Sequence, residues 1–216
     1  MILFGIRSPI VVSFEETCYR LSIPVTAAVS VNGTPRIADR SRIVQVDDLK
    51  LEEAGTAFLA CAFSPARRAA LIKMARARGL VLAPALIDPT AILARTVRVG
   101  DGSFINAGAV VGPLSIIGEG VLINQAVSVG HHNILGDYVS IGPGATLAGN
   151  IHVGSGTMIG AGAVVLPDIR IGTQAVVAAG SLVRNHVPDG YCVAGNPATK
   201  FSFNPTTSSL NIEDGE

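Results

Sequence analysis

Every sixth residue from Ile87 to Val183 is Ile, Leu or Val, without a break. The series runs Ile87, Leu93, Val99, Ile105 and onward to Ile171, Val177 and Val183, seventeen positions in succession. If a third of residues were aliphatic, a run this long would arise by chance roughly once in a hundred million trials. The residue after each aliphatic is usually small, and nine of the seventeen are Gly. A period of six matches neither an α-helix nor a single amphipathic strand. It matches a solenoid of short strands and tight corners, three strands to a coil, with the aliphatic pointing inward.

The rest of the composition narrows the classes of function. Of the 216 residues, 49% are apolar, yet no stretch approaches the eighteen uninterrupted apolar residues of a membrane span. The excess is better assigned to a Val- and Ile-filled solenoid and to flat faces buried against other subunits. Formal charge is zero and no basic cluster exceeds Arg67–Arg68, which argues against nucleic acid or an anionic membrane. Cys18, Cys61 and Cys192 stand singly, as reduced thiols of a cytoplasmic protein do. The N-terminus lacks the basic lead and long apolar core of a signal peptide.

Residues 1–85 follow a different rhythm. Ile2–Gly5 reads as a strand, and Ser13-Phe14-Glu15-Glu16 as a capping box opening a helix to Leu21. Pro24–Val29 and Thr56–Ala62 read as strands, Ser64-Pro65 as the cap of a helix Ala66–Arg78, and Leu80–Leu82 as a further strand. This alternation predicts a small parallel, Rossmann-like α/β domain over 1–85, followed by the solenoid over 86–200. Residues 201–216, rich in Pro, Ser, Thr and acids, read as a polar tail.

A solenoid is a scaffold, so function has to be argued from side chains. Of the four histidines, His131 and His132 fall two and three places after inward Val129, at a corner. One coil is eighteen residues, so Gly149 stacks on His131 at strand spacing, roughly 4.8 Å. A base beside an unobstructed amide is what acyl transfer needs, one group taking a proton and the other holding an oxyanion; two solvated surface histidines are the plainer alternative. His152 reads as an exposed strand residue and His186 as a structural one. The histidines are not separated by whole coils, so no metal site is expected. Asp137, six residues after His131, belongs to the next corner and cannot orient it within one chain. Asn124, seven before it, belongs to the preceding one and is a candidate to act across a subunit boundary.

The hexapeptide series, with Leu122-Ile123-Asn124, Val129-Gly130-His131-His132, Ile141-Gly142-Pro143-Gly144-Ala145, Leu147-Ala148-Gly149-Asn150 and Val193-Ala194-Gly195-Asn196-Pro197-Ala198, resembles the left-handed β-helix acyltransferases. With the α/β domain in front, the chain is similar to their NeuD-like subgroup, which acetylates sialic acids or the amino group of nucleotide-linked amino sugars for bacterial glycans. The resemblance implies a left-handed parallel β-helix, an acetyl-CoA cofactor and a homotrimer with active sites between neighbouring β-helices. It implies that His131 is the general base and that the Gly149 amide binds the thioester carbonyl. Ala161 and Ala179 would line the pantetheine, and Asn196, Pro197 and Lys200 would lie near the nucleotide end of the cofactor. Asn124 and His132 are candidates for contacting the acceptor.

Three departures accompany the resemblance. The acidic residue that usually follows the base is His132 here. A second histidine, often found nine positions on, is Ser140. The glycine-rich turn and paired aspartates of the front domain are replaced by Gly5-Ile6-Arg7-Ser8-Pro9 and Ser30-Val31-Asn32-Gly33, leaving Arg7 and Ser8 as candidates to meet a phosphate. The expected activity is acetyl-CoA-dependent N-acetylation of a nucleotide-activated amino sugar. The alternatives are O-acetylation of a sugar hydroxyl, and a β-helix scaffold without catalysis.

Overall fold

The computed structural model describes residues 1–49 and 55–201. The expected tail therefore lies outside the described residues, apart from Phe201. From Leu86 onward the chain winds into a left-handed parallel β-helix of triangular section, built from two-residue strands. The first face stacks the strands that begin at Leu86, Phe104, Leu122, Ser140, Met158 and Val176, and ends on Cys192–Ala194. The second stacks those beginning at Ile92, Val110, Ser128, Thr146, Val164 and Leu182. The third stacks those beginning at Arg98, Ile116, Ile134, His152 and Arg170. Up to the last turn each strand pairs in parallel with the one eighteen residues on, for example Val129 with Leu147 and Ile141 with Ile159; there Val176 pairs with Cys192.

Two inward columns fill the prism. One is the hexapeptide series; the other lies two residues before it and holds small or branched residues such as Ala109, Val127, Ala145 and Ala163, all at most 1% exposed. Only the first coil is looser, with Ile87, Leu93 and Val99 partly buried where the prism ends. A short antiparallel pair, Cys192–Ala194 with Thr199–Lys200, closes the other end.

The corners between faces need one residue per turn in the left-handed region. In the corner between the first and second faces (the first corner) this column is Gly108, Ala126, Gly144, Gly162 and Gly180. In the second corner it is Leu114, His132, Asn150 and Asp168, and in the third it includes Gly120, Tyr138, Gly156 and Gln174. Asn and Asp tolerate such a backbone, and glycine takes it at no steric cost.

The front domain is a five-stranded parallel sheet in the order β3-β2-β1-β4-β5, with β1 Ile2–Phe4, β2 Ala27–Ser30, β3 Ile43–Gln45, β4 Ala57–Ala60 and β5 Val81–Leu82. Its central strands are buried on both faces, which is why they read as continuous apolar runs. Helix α1 (Val11–Arg20) links β1 to β2, and α2 (Pro65–Arg76) links β4 to β5. Ser64 caps α2 by accepting from the Arg67 N–H.

One sequence expectation fails in this domain, and one strand was not anticipated. The capping box does not form: α1 begins at Val11, with Pro9 leading in and no side-chain cap, so Ser13 is interior. Glu15 instead accepts from the amides of Ala38 and Asp39 at 2.8 and 2.7 Å, and Glu16 pairs with Arg20. A Pro just ahead sets the first turn, and the carboxylates find tertiary partners. The other miss is β3, a half-exposed edge strand whose Ile43-Val44-Gln45 is too short to show a period.

The domain docks on the first face, where Phe104 stacks on Phe14 with ring centroids 4.1 Å apart. Arg68 of α2 is 1% exposed and spans the junction. Its guanidinium donates to the carbonyls of Ala62, Phe63, Gly120, Tyr138 and Val139 and to the Ser140 hydroxyl. Burial pulls its pKa down, to about 9. No helix among the described residues is long and apolar enough to cross a membrane.

Candidate active site

The second corner brings together His131 and Gly149. A methyl group placed on Gly149 would lie 2.5 Å from His131 Cε1 and 2.7 Å from its Nε2, so the imidazole rests directly on the glycine. The Gly149 N–H donates no hydrogen bond among the described residues, while its carbonyl accepts from Asp168 N–H at 3.1 Å. Both the ring and this unpaired amide open to the outside of the prism. A ring nitrogen able to take a proton thus lies against a donor able to hold a developing oxyanion.

Buried Asn133 holds this corner, and sequence reasoning passed it over. Its Nδ2 donates to Gly130 O at 3.0 Å and Ala148 O at 2.9 Å, and its Oδ1 accepts from Ile151 N–H at 2.7 Å. Gly130 and Ala148 are the residues just before His131 and Gly149, so one side chain fixes the backbone of both. Ser115, one coil earlier, adds a bond from its hydroxyl to Gly130 O at 2.9 Å. The available signal was the second inward column, where Asn133 is the one amide among Ala, Val, Ile, Ser and Thr.

His132 follows on the same corner, its left-handed backbone pinned by its N–H to Pro113 O at 3.0 Å. His131 Nδ1 and His132 Nδ1 are 3.0 Å apart and the rings meet edge to face at 88°.

Ala161 and Ala179 do not join His131 within one chain. They sit in the first corner, a whole face away, exposed, with N–H groups that donate no hydrogen bond among the described residues. Asn124 is in that corner too but turns inward. Its Oδ1 accepts from Asn106 Nδ2 at 3.1 Å and from Gln125 N–H at 2.9 Å, a ladder that leaves it 7% exposed. Asn196 and Pro197 are exposed and joined by a cis peptide bond. Lys200 stands over the Tyr191 ring, 3.9 Å from its centre, beside a cleft that also includes His186. His186 itself accepts from the Arg170 N–H.

Arg7 and Ser8 occupy the loop after β1. The Arg7 stem covers Gly33, which follows β2 and has φ +70°, and Ser8 accepts from the first amide of α1. Arg67, in the first turn of α2, reaches Asn32 at 2.8 Å. The carboxyl ends of three parallel strands therefore collect two arginines and an asparagine, where α/β sheets bind ligands; only Arg7 and Ser8 were singled out from sequence. Ser140, in place of the second histidine, is wholly buried, donating to Phe63 O at 2.6 Å and accepting from Arg68. It belongs to the junction between domains. A groove of about 660 Å³ opens beside it between Phe63, Pro65, Tyr138, Met158, Gln174 and Val176, and none of its lining residues is in the second corner.

Comparison with known proteins supplies the family context. The family described as bacterial transferase hexapeptide (six repeats) matches residues 150–185. Among solved structures, perosamine N-acetyltransferase from Caulobacter crescentus, in complex with CoA and GDP-perosamine, superposes with a TM-score of 0.81. It is 26% identical and covers 94% of this chain and 96% of its own. The acetyltransferase domain of PglB from Neisseria gonorrhoeae, in complex with acetyl coenzyme A, has a TM-score of 0.80, 27% identity and coverage of 93% and 98%. The chain has the architecture of the hexapeptide-repeat sugar acetyltransferases. WeeI from Acinetobacter baumannii, at 22% identity and a TM-score of 0.72, shares this fold over 93% of the chain and 98% of its own. The search of curated proteins found no match. Likeness to the two acetyltransferases spans the front domain as well as the prism, so the pairing of an α/β sheet with a hexapeptide β-helix is common to all of them.

Proposed function

We propose that the chain is an acetyl-CoA-dependent N-acetyltransferase acting on the amino group of a nucleotide-activated amino sugar. The observation that carries this reading is the His131 ring lying on Gly149, whose N–H is unpaired among the described residues. In the proposed step the sugar amine attacks the thioester carbonyl carbon, forming the C–N bond. His131 takes the amine proton, and the Gly149 N–H holds the oxyanion. Collapse breaks the C–S bond, and the coenzyme A thiolate leaves to be protonated. The two acetyltransferases of similar architecture, one holding CoA with GDP-perosamine and the other acetyl coenzyme A, support the choice of cofactor and acceptor class.

A homotrimer belongs to the same proposal. The amides of Ala161 and Ala179 lie one face from His131, so a cofactor touching both sets bridges two copies. The second corner of one prism would meet the first corner of the next. Exposed apolar side chains on the outer faces, among them Ile92, Val110, Ile116, Ile134 and Val164, suit burial between prisms. Ala161 and Ala179 would then line the pantetheine, with Asn196, Pro197 and Lys200 toward the nucleotide end. Residues 1–85 would hold the acceptor, with Arg7 and Ser8, joined by Arg67, near its phosphates. Asn124 has only its Nδ2 left to offer. The setting would be the cytoplasm, where acetyl-CoA and nucleotide sugars are held and free thiols such as Cys18 and Cys61 persist.

The test is release of coenzyme A from acetyl-CoA with a panel of nucleotide-linked amino sugars that includes GDP-perosamine, and with free sugar alcohols. Acetylated amine is the expected product, and His131→Ala should lower turnover by about 10²–10⁴-fold. Product formed only on a hydroxyl would shift the reaction to O-acetylation. Failure to bind acetyl-CoA would leave a scaffold.

A further inference from the structure

We infer that His132 is a positioning residue for His131: it accepts a hydrogen bond from His131 Nδ1–H, which holds the lone pair on Nε2, the nitrogen that lies over Gly149. The inference rests on the proposed acetyl transfer and adds the group that sets up the base.

The two Nδ1 atoms are 3.0 Å apart, a hydrogen-bond distance, and in such a bond one ring donates and the other accepts. If His132 donated, His131 would carry its proton on Nε2 and present an N–H, not a base, to the acceptor amine. If His131 donates, Nε2 is free, and it lies closer than Nδ1 to where a Gly149 side chain would begin, 2.7 against 3.1 Å. Which nitrogen of an imidazole is protonated is set by the bond that the other makes, so only the second arrangement makes a base here.

The backbone fixes the arrangement. His132 sits in the left-handed region at φ 57°, its N–H tied to Pro113 O, while His131 O accepts from Asn150 N–H at 2.9 Å. Two adjacent rings are thereby folded against each other at 88° instead of splaying into solvent. Among the described residues no carboxylate competes. The acid of this corner column, Asp168, is two coils beyond His132 and accepts from Asn150 Nδ2 at 2.7 Å, and Asp137 lies in the third corner, where it accepts from Glu119 N–H. Among the described residues neither ring forms an ion pair. A neutral acceptor does less than a carboxylate for the imidazolium that forms in the reaction, but it fixes the same tautomer.

The test is ¹⁵N NMR of the histidine side chains in the intact protein, needing no substrate. In the wild type His131 should show Nδ1 as N–H and Nε2 as the unprotonated nitrogen. In His132→Ala the assignment should reverse or average. In His132→Asp, which tolerates the left-handed backbone and restores an acceptor, it should return. With the sugar accepted in the panel above, His132→Ala should lower kcat by about 10-fold to 10²-fold with little change in either KM, and His132→Asp should recover most of it. A wild-type His131 protonated on Nε2 would overturn the inference. So would a His132→Ala defect confined to the sugar KM, which would make His132 a substrate contact. Full activity in His132→Ala with none in His131→Ala would discard the inference and leave the acetyltransferase standing. Full activity in His131→Ala would remove the reading on which it rests.

Discussion

Two corners of the prism are made by the same backbone manoeuvre and yet are opposite in chemistry. Beyond Leu114, the second corner spends its left-handed positions on His132, Asn150 and Asp168, side chains that hydrogen-bond one another or their neighbours. The first corner, below Ala126, puts Gly144, Gly162 and Gly180 there, with nothing within 4 Å of where a side chain would begin. One edge presents functional groups; the other presents bare glycines beside Ala161 and Ala179, whose amides donate no hydrogen bond among the described residues. Neither suffices for acyl transfer, which needs a base and a surface along which a thin cofactor can lie. A period that repeats every six residues has thus been differentiated edge by edge, and the proposed pairing of one copy's second corner with another's first corner depends on that difference.

The sharpest way to break the contrast is to place a methyl group where the polar corner has none. In Gly149→Ala the added carbon would meet the His131 ring at 2.5 Å, closer than real contacts allow. The ring has to swing off the amide, which also pulls Nδ1 from His132. Displacement of a reacting group by about 1 Å commonly costs about 10²-fold, so turnover should fall by about that factor or more. Acetyl-CoA binding, followed by calorimetry, should change far less, because the Gly149 N–H survives. Unimpaired turnover would mean that the close packing of ring on glycine is irrelevant to the chemistry.

The prism was legible because inward residues recur at fixed spacing and each must be aliphatic, so the register that stacks Gly149 on His131 follows by counting. What the count does not carry is anything set by contacts off the period. Asn133 is a single amide in a column that otherwise needs only small or branched side chains. Ser140 reads as a lost histidine until its bonds to Phe63 O and Arg68 are seen. In the front domain the apolar runs of β1 and β4 and the Ser64-Pro65 cap were readable, being local. The edge strand β3 and the partners of Glu15 were not, since both depend on chain segments that are brought close only by folding. Arg7 and Ser8 were found as loop residues, but their neighbours Arg67 and Asn32 come from two other strand ends.

The third corner tests whether the front domain is held by the prism or merely rests on it. Around Gly120 and Tyr138 it is covered by the front domain, and Arg68 alone fills five carbonyls and one hydroxyl there. In Arg68→Met the stem keeps its packing and the acceptors lose their donor. Leaving buried acceptors unpaired costs about 1–3 kcal/mol per group before relaxation. With relaxation a net loss of about 2 kcal/mol in denaturant unfolding is expected. Arg76, which pairs with Glu119 at the exposed rim at 2.8 Å, should matter less when replaced by Met, by about 0.2–1 kcal/mol. Equal effects from the two would deny the junction a buried anchor.

The smallest effect probes the bare corner itself. Gly162 has φ +64° and open space around the missing side chain, so Gly162→Asn keeps a residue type that tolerates the left-handed backbone and creates no clash within the chain. Its side chain would project beside Ala161, over the edge where the cofactor is proposed to lie. Acetyl-CoA should then bind about 10-fold more weakly, since a displaced or obstructed cofactor loses on the order of 1.4 kcal/mol. Gly156→Asn is the matched control: φ +70°, in the third corner, with only Gln174 Cγ at an ordinary 3.5 Å. It carries the same backbone strain away from both proposed edges, so its acetyl-CoA affinity should stay within about 2-fold of the parent, well inside the tenfold that 1.4 kcal/mol represents. If both variants weakened binding alike, glycine at these corners would serve the fold alone. Weakening by Gly162→Asn only would show that the first corner is bare because something has to lie along it.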